Sequence, residues 1–204
     1  MLNIEMYRQS LQAGGELQRF KVDKYIDEIP VMLEECYKFQ VNYRQGEYLP
    51  GEVNPMIESA ARWIVEGRKI GLMLYGKVGS GKSTLAAAIR QMLIVTFGQR
   101  IEKVTALELS RAAKDDRDSF SNYLNCKMLL IDDMGEEPTT VKSWGNEISP
   151  FVETIYSRYD KQRFTIITTN LLEDEIKEIY GVRVADRFNE MFDRIYFDNK
   201  SYRK

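Results

Sequence analysis

Eight residues, Gly76-Lys77-Val78-Gly79-Ser80-Gly81-Lys82-Ser83, carry the clearest chemistry in the chain. A glycine, four further residues and then Gly-Lys-Ser allow consecutive backbone N–H groups to wrap a triphosphate. The helix that follows then points its positive end at the phosphates. In this reading Gly76, Val78, Gly79, Ser80, Gly81 and Thr84 line the nucleotide, Lys82 neutralises the β and γ phosphates, and the Ser83 hydroxyl ligates magnesium. ATP and Mg2+ are therefore the expected ligands. Asp132 and Asp133 follow the apolar run Met128-Leu129-Leu130-Ile131. A carboxylate at the end of such a strand reaches the edge of a sheet beside the phosphate loop. Asp132 is expected to hold the metal opposite Ser83, and Asp133 to orient and polarise the attacking water, with Glu136 and Glu137 as competitors for that base role. Asn170 closes a β-branched run, 165–169, where its amide can hold the lytic water or cap the next helix.

The elements that must position these residues follow from periodicity. An apolar run over 70–75 leads into the loop, and Leu85, Ala88, Ile89, Met92 and Leu93 recur at helical spacing after it, up to Gly98. Residues 100–105 read as a short strand and 106–116 as a charged helix. Trp144, Ile148, Phe151, Val152, Ile155, Tyr156 and Tyr159 keep a helical period in which Pro150 either starts the ordered part or kinks it. A helix ending at Gly181, another short helix and a strand over 194–197 complete the pattern. Alternation of strands and helices implies α/β architecture, a parallel sheet wrapped on both faces.

Before the loop, Pro30 suits the first turn of a helix with Val31, Leu33, Cys36, Tyr37 and Val41 as apolar positions, and Asn54-Pro55 reads as the start of another. Residues 1–19 give no firm reading. The expected division is a short helical N-terminal extension over 1–50, serving either as a partner-binding segment or as a cap, and an ATPase domain over 51–204.

The chain has 204 residues, enough for one α/β domain, and its formal charge of -2 gives no global attraction to nucleic acid. With two cysteines and no histidine, a zinc site or disulfide framework is not expected. No stretch has the length and apolarity of a membrane span or a secretory leader, so no membrane association is expected and the expected location is cytoplasmic. Arg111, Lys114, Arg117, Phe120 and Tyr123 mix charge with aromatic faces, as a single-stranded DNA contact would, or as a solvated helix face does.

Taken in order, the phosphate loop, Leu130-Ile131-Asp132-Asp133-Met134-Gly135, Arg158-Tyr159, Thr168-Thr169-Asn170 and the stretch from Tyr180-Gly181 to Arg187 resemble the AAA+ ATPases of the DnaC-type helicase loaders, a group close to the IstB-type transposition ATPases. The resemblance covers about residues 20–203. It implies a P-loop AAA+ fold with little or no C-terminal lid. Lys82 and Ser83 match Walker A, Asp132 and Asp133 match Walker B, and Asn170 matches sensor 1. Arg187 matches the arginine finger, and Arg203 the sensor 2 arginine that also touches nucleotide. A replicative helicase, single-stranded DNA and further copies of the chain are the implied partners, with an IstB-like transposase helper or a non-hydrolysing binding module as alternatives. Where many AAA+ proteins carry glutamate, this chain has the shorter Asp133, which implies slow turnover.

Overall fold

The computed structural model describes residues 4–6, 20, 22–143 and 145–199. Most of the N-terminal stretch 1–19, Trp144 and Arg203 therefore lie outside the described residues. Two helices, α1 (Ile29–Tyr43) and α2 (Pro50–Glu66), precede β1 (Gly71–Gly76) and α3 (Lys82–Phe97). Then come β2 (Glu102–Thr105), α4 (Ala106–Asp115), α5 (Arg117–Asn125) and β3 (Met128–Met134). A small antiparallel hairpin, β4 (Val141–Ser143) and β5 (Asn146–Ile148), leads to α6 (Pro150–Asp160) and β6 (Phe164–Thr169). The described chain closes with α7 (Glu173–Tyr180), α8 (Val182–Met191) and β7 (Phe192–Phe197).

The five long strands form one parallel sheet in the order β2-β3-β6-β1-β7. Because successive side chains on a strand point to opposite faces, the near-continuous apolar runs of β1, β3 and β6 feed two cores. Leu72, Leu74, Leu130 and Ile166 join α1, α2 and α3 on one face. Met73, Leu129, Ile131 and Ile167 join the helices α4 to α8 on the other. All five strands run the same way, so β1, β3 and β6 end at one edge of the sheet, and the chemistry collects there.

Several expected boundaries move. The second helix begins at Pro50, a turn before Asn54-Pro55, because a second proline near the start forfeits only one bond to the Gly51 carbonyl. The Asn54 side chain instead accepts from the Tyr48 hydroxyl at 2.8 Å. In α1 the buried row is Ile29, Leu33, Tyr37 and Val41, whereas Val31 points outward. That row packs in the same core as α2 and α3, so the hydrophobic interior crosses the expected boundary at Pro50 without a break. The charged helix stops at Asp115 and a second one starts at once, because the Asp116 carboxylate accepts from the Ser119 backbone N–H at 3.0 Å and caps it. Val141–Ser143 and Asn146–Ile148 pair as strands, and of the two roles expected for Pro150 it takes the first, at the start of α6.

Among the described residues Arg158 is the largest fully buried side chain and has no carboxylate partner. Its Nε donates to Thr165 Oγ1 at 2.8 Å, its Nη1 to the Tyr123 and Cys126 carbonyls at 3.0 Å each, and its Nη2 to the Phe164 carbonyl at 2.6 Å. It thereby ties the negative C-terminal end of α5 to the start of β6. Burial pushes its pKa down to about 10, so it stays charged at neutral pH. Replacing it with methionine keeps the volume and removes every donor. Arg158→Met is expected to cost about 3 kcal/mol or more in urea unfolding, with Arg158→Lys recovering only part of that.

Candidate nucleotide-binding site

The loop between β1 and α3 is shaped first by backbone crowding. Gly76 has φ +122°, and a Cβ there would lie 2.2 Å from the Phe197 carbonyl oxygen at the end of β7. The next N–H, that of Lys77, donates to the same oxygen at 2.9 Å. The chain then wraps back to Gly81, which precedes the first helical residue, Lys82. Lys82 is buried, and its ammonium donates to the Gly76 carbonyl at 2.9 Å, the Lys77 carbonyl at 2.6 Å and Asn170 Oδ1 at 2.7 Å. The loop lysine and the amide at the end of β6 thus meet directly. Asn170 is free of the capping task considered above, since α7 is capped at Leu172, whose N–H donates to Glu175 at 2.6 Å.

On β3 the pairing with β6 shifts register between Ile131 and Met134, and Asp133 takes a left-handed φ of +58°. The Thr168 hydroxyl spans the irregularity, accepting from the Asp133 N–H at 2.9 Å and donating to Asp132 Oδ1 at 2.6 Å. Thr169 adds a bond from its hydroxyl to the Met134 carbonyl at 2.7 Å. Asp132 points inward and Asp133 opens to the cleft. Burial raises the pKa of Asp132, but the Thr168 hydroxyl, the Lys103 ammonium and the Ser83 hydroxyl outweigh it and hold the carboxyl below its ordinary range. For Asp133, partial burial and then the negative Asp132 and Glu136 push the carboxyl up.

Of the competing acids, Glu136 lines the same cleft. Glu137 does not compete: it is buried, accepts from the Gly135 N–H at 2.7 Å and bonds the Tyr180 hydroxyl. Hard oxygen donors, the Ser83 hydroxyl and the Asp132 carboxylate, are near enough for the hydroxyl to help hold the carboxyl down. Two such groups, completed by phosphate oxygens and water, fit magnesium.

The cleft holds about 1210 Å³. One wall is the loop with Asp133, Glu136 and Asn170, and the opposite wall is the end of α1 and the turn after it, with Tyr37, Val41, Arg44 and Leu49. Arg44 Nη1 donates to Thr84 Oγ1 at 3.0 Å. Neither Arg44 nor Lys103 stands out in the sequence, because their meaning depends on how α1 and β2 pack. Arg187 lies away from this cleft, its guanidinium 3.8 Å from the centre of the Tyr156 ring and 5.2 Å from that of Tyr159. Phe120 is buried in the core, which removes it as a base-stacking surface. The two cysteines are partly buried, and burial pushes both thiols up.

A family model described as IstB-like ATP binding protein matches residues 43–204. No curated protein matches the sequence. Among solved structures, the crystal structure of the DnaC helicase loader shares 22% identity and a TM-score of 0.60, over 71% of this chain and 89% of that one. The DnaI crystal structure shares 21% and 0.59, over 80% of this chain and 93% of that one. AMPPCP-bound DnaA from Aquifex aeolicus shares 19% and 0.56, over 76% of this chain and 50% of that one. At these identities the likeness is one of fold: a P-loop AAA+ sheet.

If the Thr168 hydroxyl locks β3 to β6, Thr168→Val should lower stability by about 1–3 kcal/mol, because it leaves a backbone N–H and a buried carboxylate short of a partner. Thr168→Ser should keep most of it. Urea unfolding without nucleotide reads this, and a fluorescent-nucleotide titration should show weaker magnesium-dependent binding by the valine variant.

Proposed function

The chain belongs to the family of IstB-like ATP-binding proteins, and from that premise we propose that it is a magnesium-dependent ATPase that loads a replicative helicase onto single-stranded DNA. The observation that carries the enzymatic part is the bond from Lys82 to Asn170, which brings the loop cation and the sensing amide to one point beside Asp133. A γ phosphate entering there takes over the Lys82 ammonium and frees the Asn170 oxygen. Occupancy is thereby reported to β6 and to α7 behind it. Ser83 and Asp132 would hold the metal, which would supply charge neutralisation at the phosphates. Asp133 orients the attacking water, with Glu136 as the second acid within the cleft.

Helicase loading rests on the likeness in fold to a DnaC helicase loader and to DnaI. The N-terminal extension would supply the helicase contact. DNA contact would fall to Arg111, Lys114 and Arg117 on α4 and α5. A second reading, an ATPase that assists a transposase on double-stranded DNA, is favoured by the IstB-like family match. Stimulation of hydrolysis by single-stranded but not double-stranded DNA supports the loader, and the reverse supports the transposase helper.

Lys82→Ala should lose tight ATP binding in a fluorescent-nucleotide titration, since it removes the loop's phosphate cation. Unchanged affinity would sink the site. Asp133→Asn should bind ATP normally and release phosphate more slowly. Full turnover by Asp133→Asn together with loss in Glu136→Gln would transfer the base role to Glu136.

Arg187, stacked on Tyr156, would act in trans as a finger for a neighbouring subunit's γ phosphate. Arg187→Ala should then bind ATP normally yet hydrolyse it about 10³-fold more slowly. Mixing it with Lys82→Ala should restore activity above the sum of the two, because intact loops meet intact fingers. A mixture that stays inactive where the wild type assembles would remove the trans assignment.

A further inference from the structure

Asp132 already has a cation beside it. The Lys103 ammonium lies 3.0 Å from Asp132 Oδ2, while Oδ1 is occupied by the Thr168 hydroxyl. The pair is set by sheet register: Thr105 lies opposite Asp132 and Lys103 opposite Leu130, so the long side chain runs along β2 toward the strand end. Lys103 is 39% exposed, with open solvent as an alternative for its head, whereas Asp132 is 8% exposed and fixed. Lys82 is not placed to serve in the same way, since its ammonium is held by two loop carbonyls and Asn170.

We propose that Lys103 is a resident counter-ion that occupies the magnesium position at Asp132 and is displaced when the metal arrives with nucleotide. This rests on the reading of Ser83 and Asp132 as the metal site. An ammonium and a divalent ion within a few ångströms on one carboxylate repel each other strongly, so metal binding must drive Lys103 toward solvent. In the metal-free site the same ammonium offsets a buried carboxylate that would otherwise repel a triphosphate. Lys103 therefore weakens metal affinity and strengthens metal-free nucleotide affinity. Removing it changes the two in opposite directions.

The test uses the full chain and a fluorescent ATP analogue. Affinity is measured in EDTA, and Mn2+ binding to the ADP complex is measured by electron paramagnetic resonance. For Lys103→Met the affinity in EDTA should fall, and the Mn2+ half-saturation should drop, each on the order of five- to tenfold. Lys103→Arg, which keeps the charge, should stay near wild type, and Lys103→Gln repeats the neutral case if the methionine variant folds poorly. Any result other than that opposed pair, including equal losses in both or no change, overturns the proposal. A wild type that fails to bind the ATP analogue at all would instead overturn the reading of the site.

Discussion

One hydroxyl holds the two working strands in step. Thr168 bonds both the carboxylate of Asp132 and the backbone N–H of Asp133, across the place where β3 and β6 lose register. Without a local irregularity, strand alternation already places two consecutive acids on opposite faces, one inward and one outward. What alternation does not supply is a left-handed turn at Asp133 that brings its side chain into the cleft while Asp132 stays buried. The hydroxyl satisfies the N–H that the irregularity leaves out of the ladder, so the strained geometry is compensated where it arises. Asn170, two residues beyond Thr168, is positioned by the same strand and reaches Lys82. Asp132, Asp133, Asn170 and Lys82, the residues given the metal, water, sensing and phosphate roles in the proposal above, are thus gathered at three neighbouring strand ends.

The other wall of the cleft comes from outside the sheet. Because α1 is buried through Ile29, Leu33, Tyr37 and Val41 in the core it shares with α3, the turn after it lies against the start of α3, where Arg44 bonds Thr84. The segment is thus a structural part of the nucleotide site as well as a surface open to other molecules. A partner that moved α1 would change the shape of the cleft, and a nucleotide that filled the cleft would bias α1.

Local signals in the sequence were enough for the parts that depend on local chemistry. The phosphate loop, the apolar run before Asp132 and the β-branched run before Asn170 each carry their meaning within ten residues, and all sit where periodicity puts them. The parts that were not legible depend on distant packing. Lys103 acquires a role only through the β2–β3 register, Arg44 only because α1 lies on α3, and Thr168 only because β6 pairs with β3. The aromatic periodicity through 144–159 leaves two readings of Pro150 open for a related reason, and the structure takes the one in which it starts the helix. Its first part satisfies helix and hairpin equally until Pro150, which cannot donate to a helix interior, sets the start of α6. Phe120 likewise reads as an exposed aromatic among charges until tertiary packing buries it.

The crowding at Gly76 separates two kinds of constraint that a phosphate loop usually confounds. Position 76 is closed to every side chain by the Phe197 carbonyl, whether or not a nucleotide ever binds. Position 82 is held by loop carbonyls and an amide that water could equally serve. A lineage of this protein that gave up nucleotide binding would therefore be free to lose Lys82 while retaining Gly76. The persistence of that glycine in a degenerate descendant would record the ancestry of its fold and nothing about its activity.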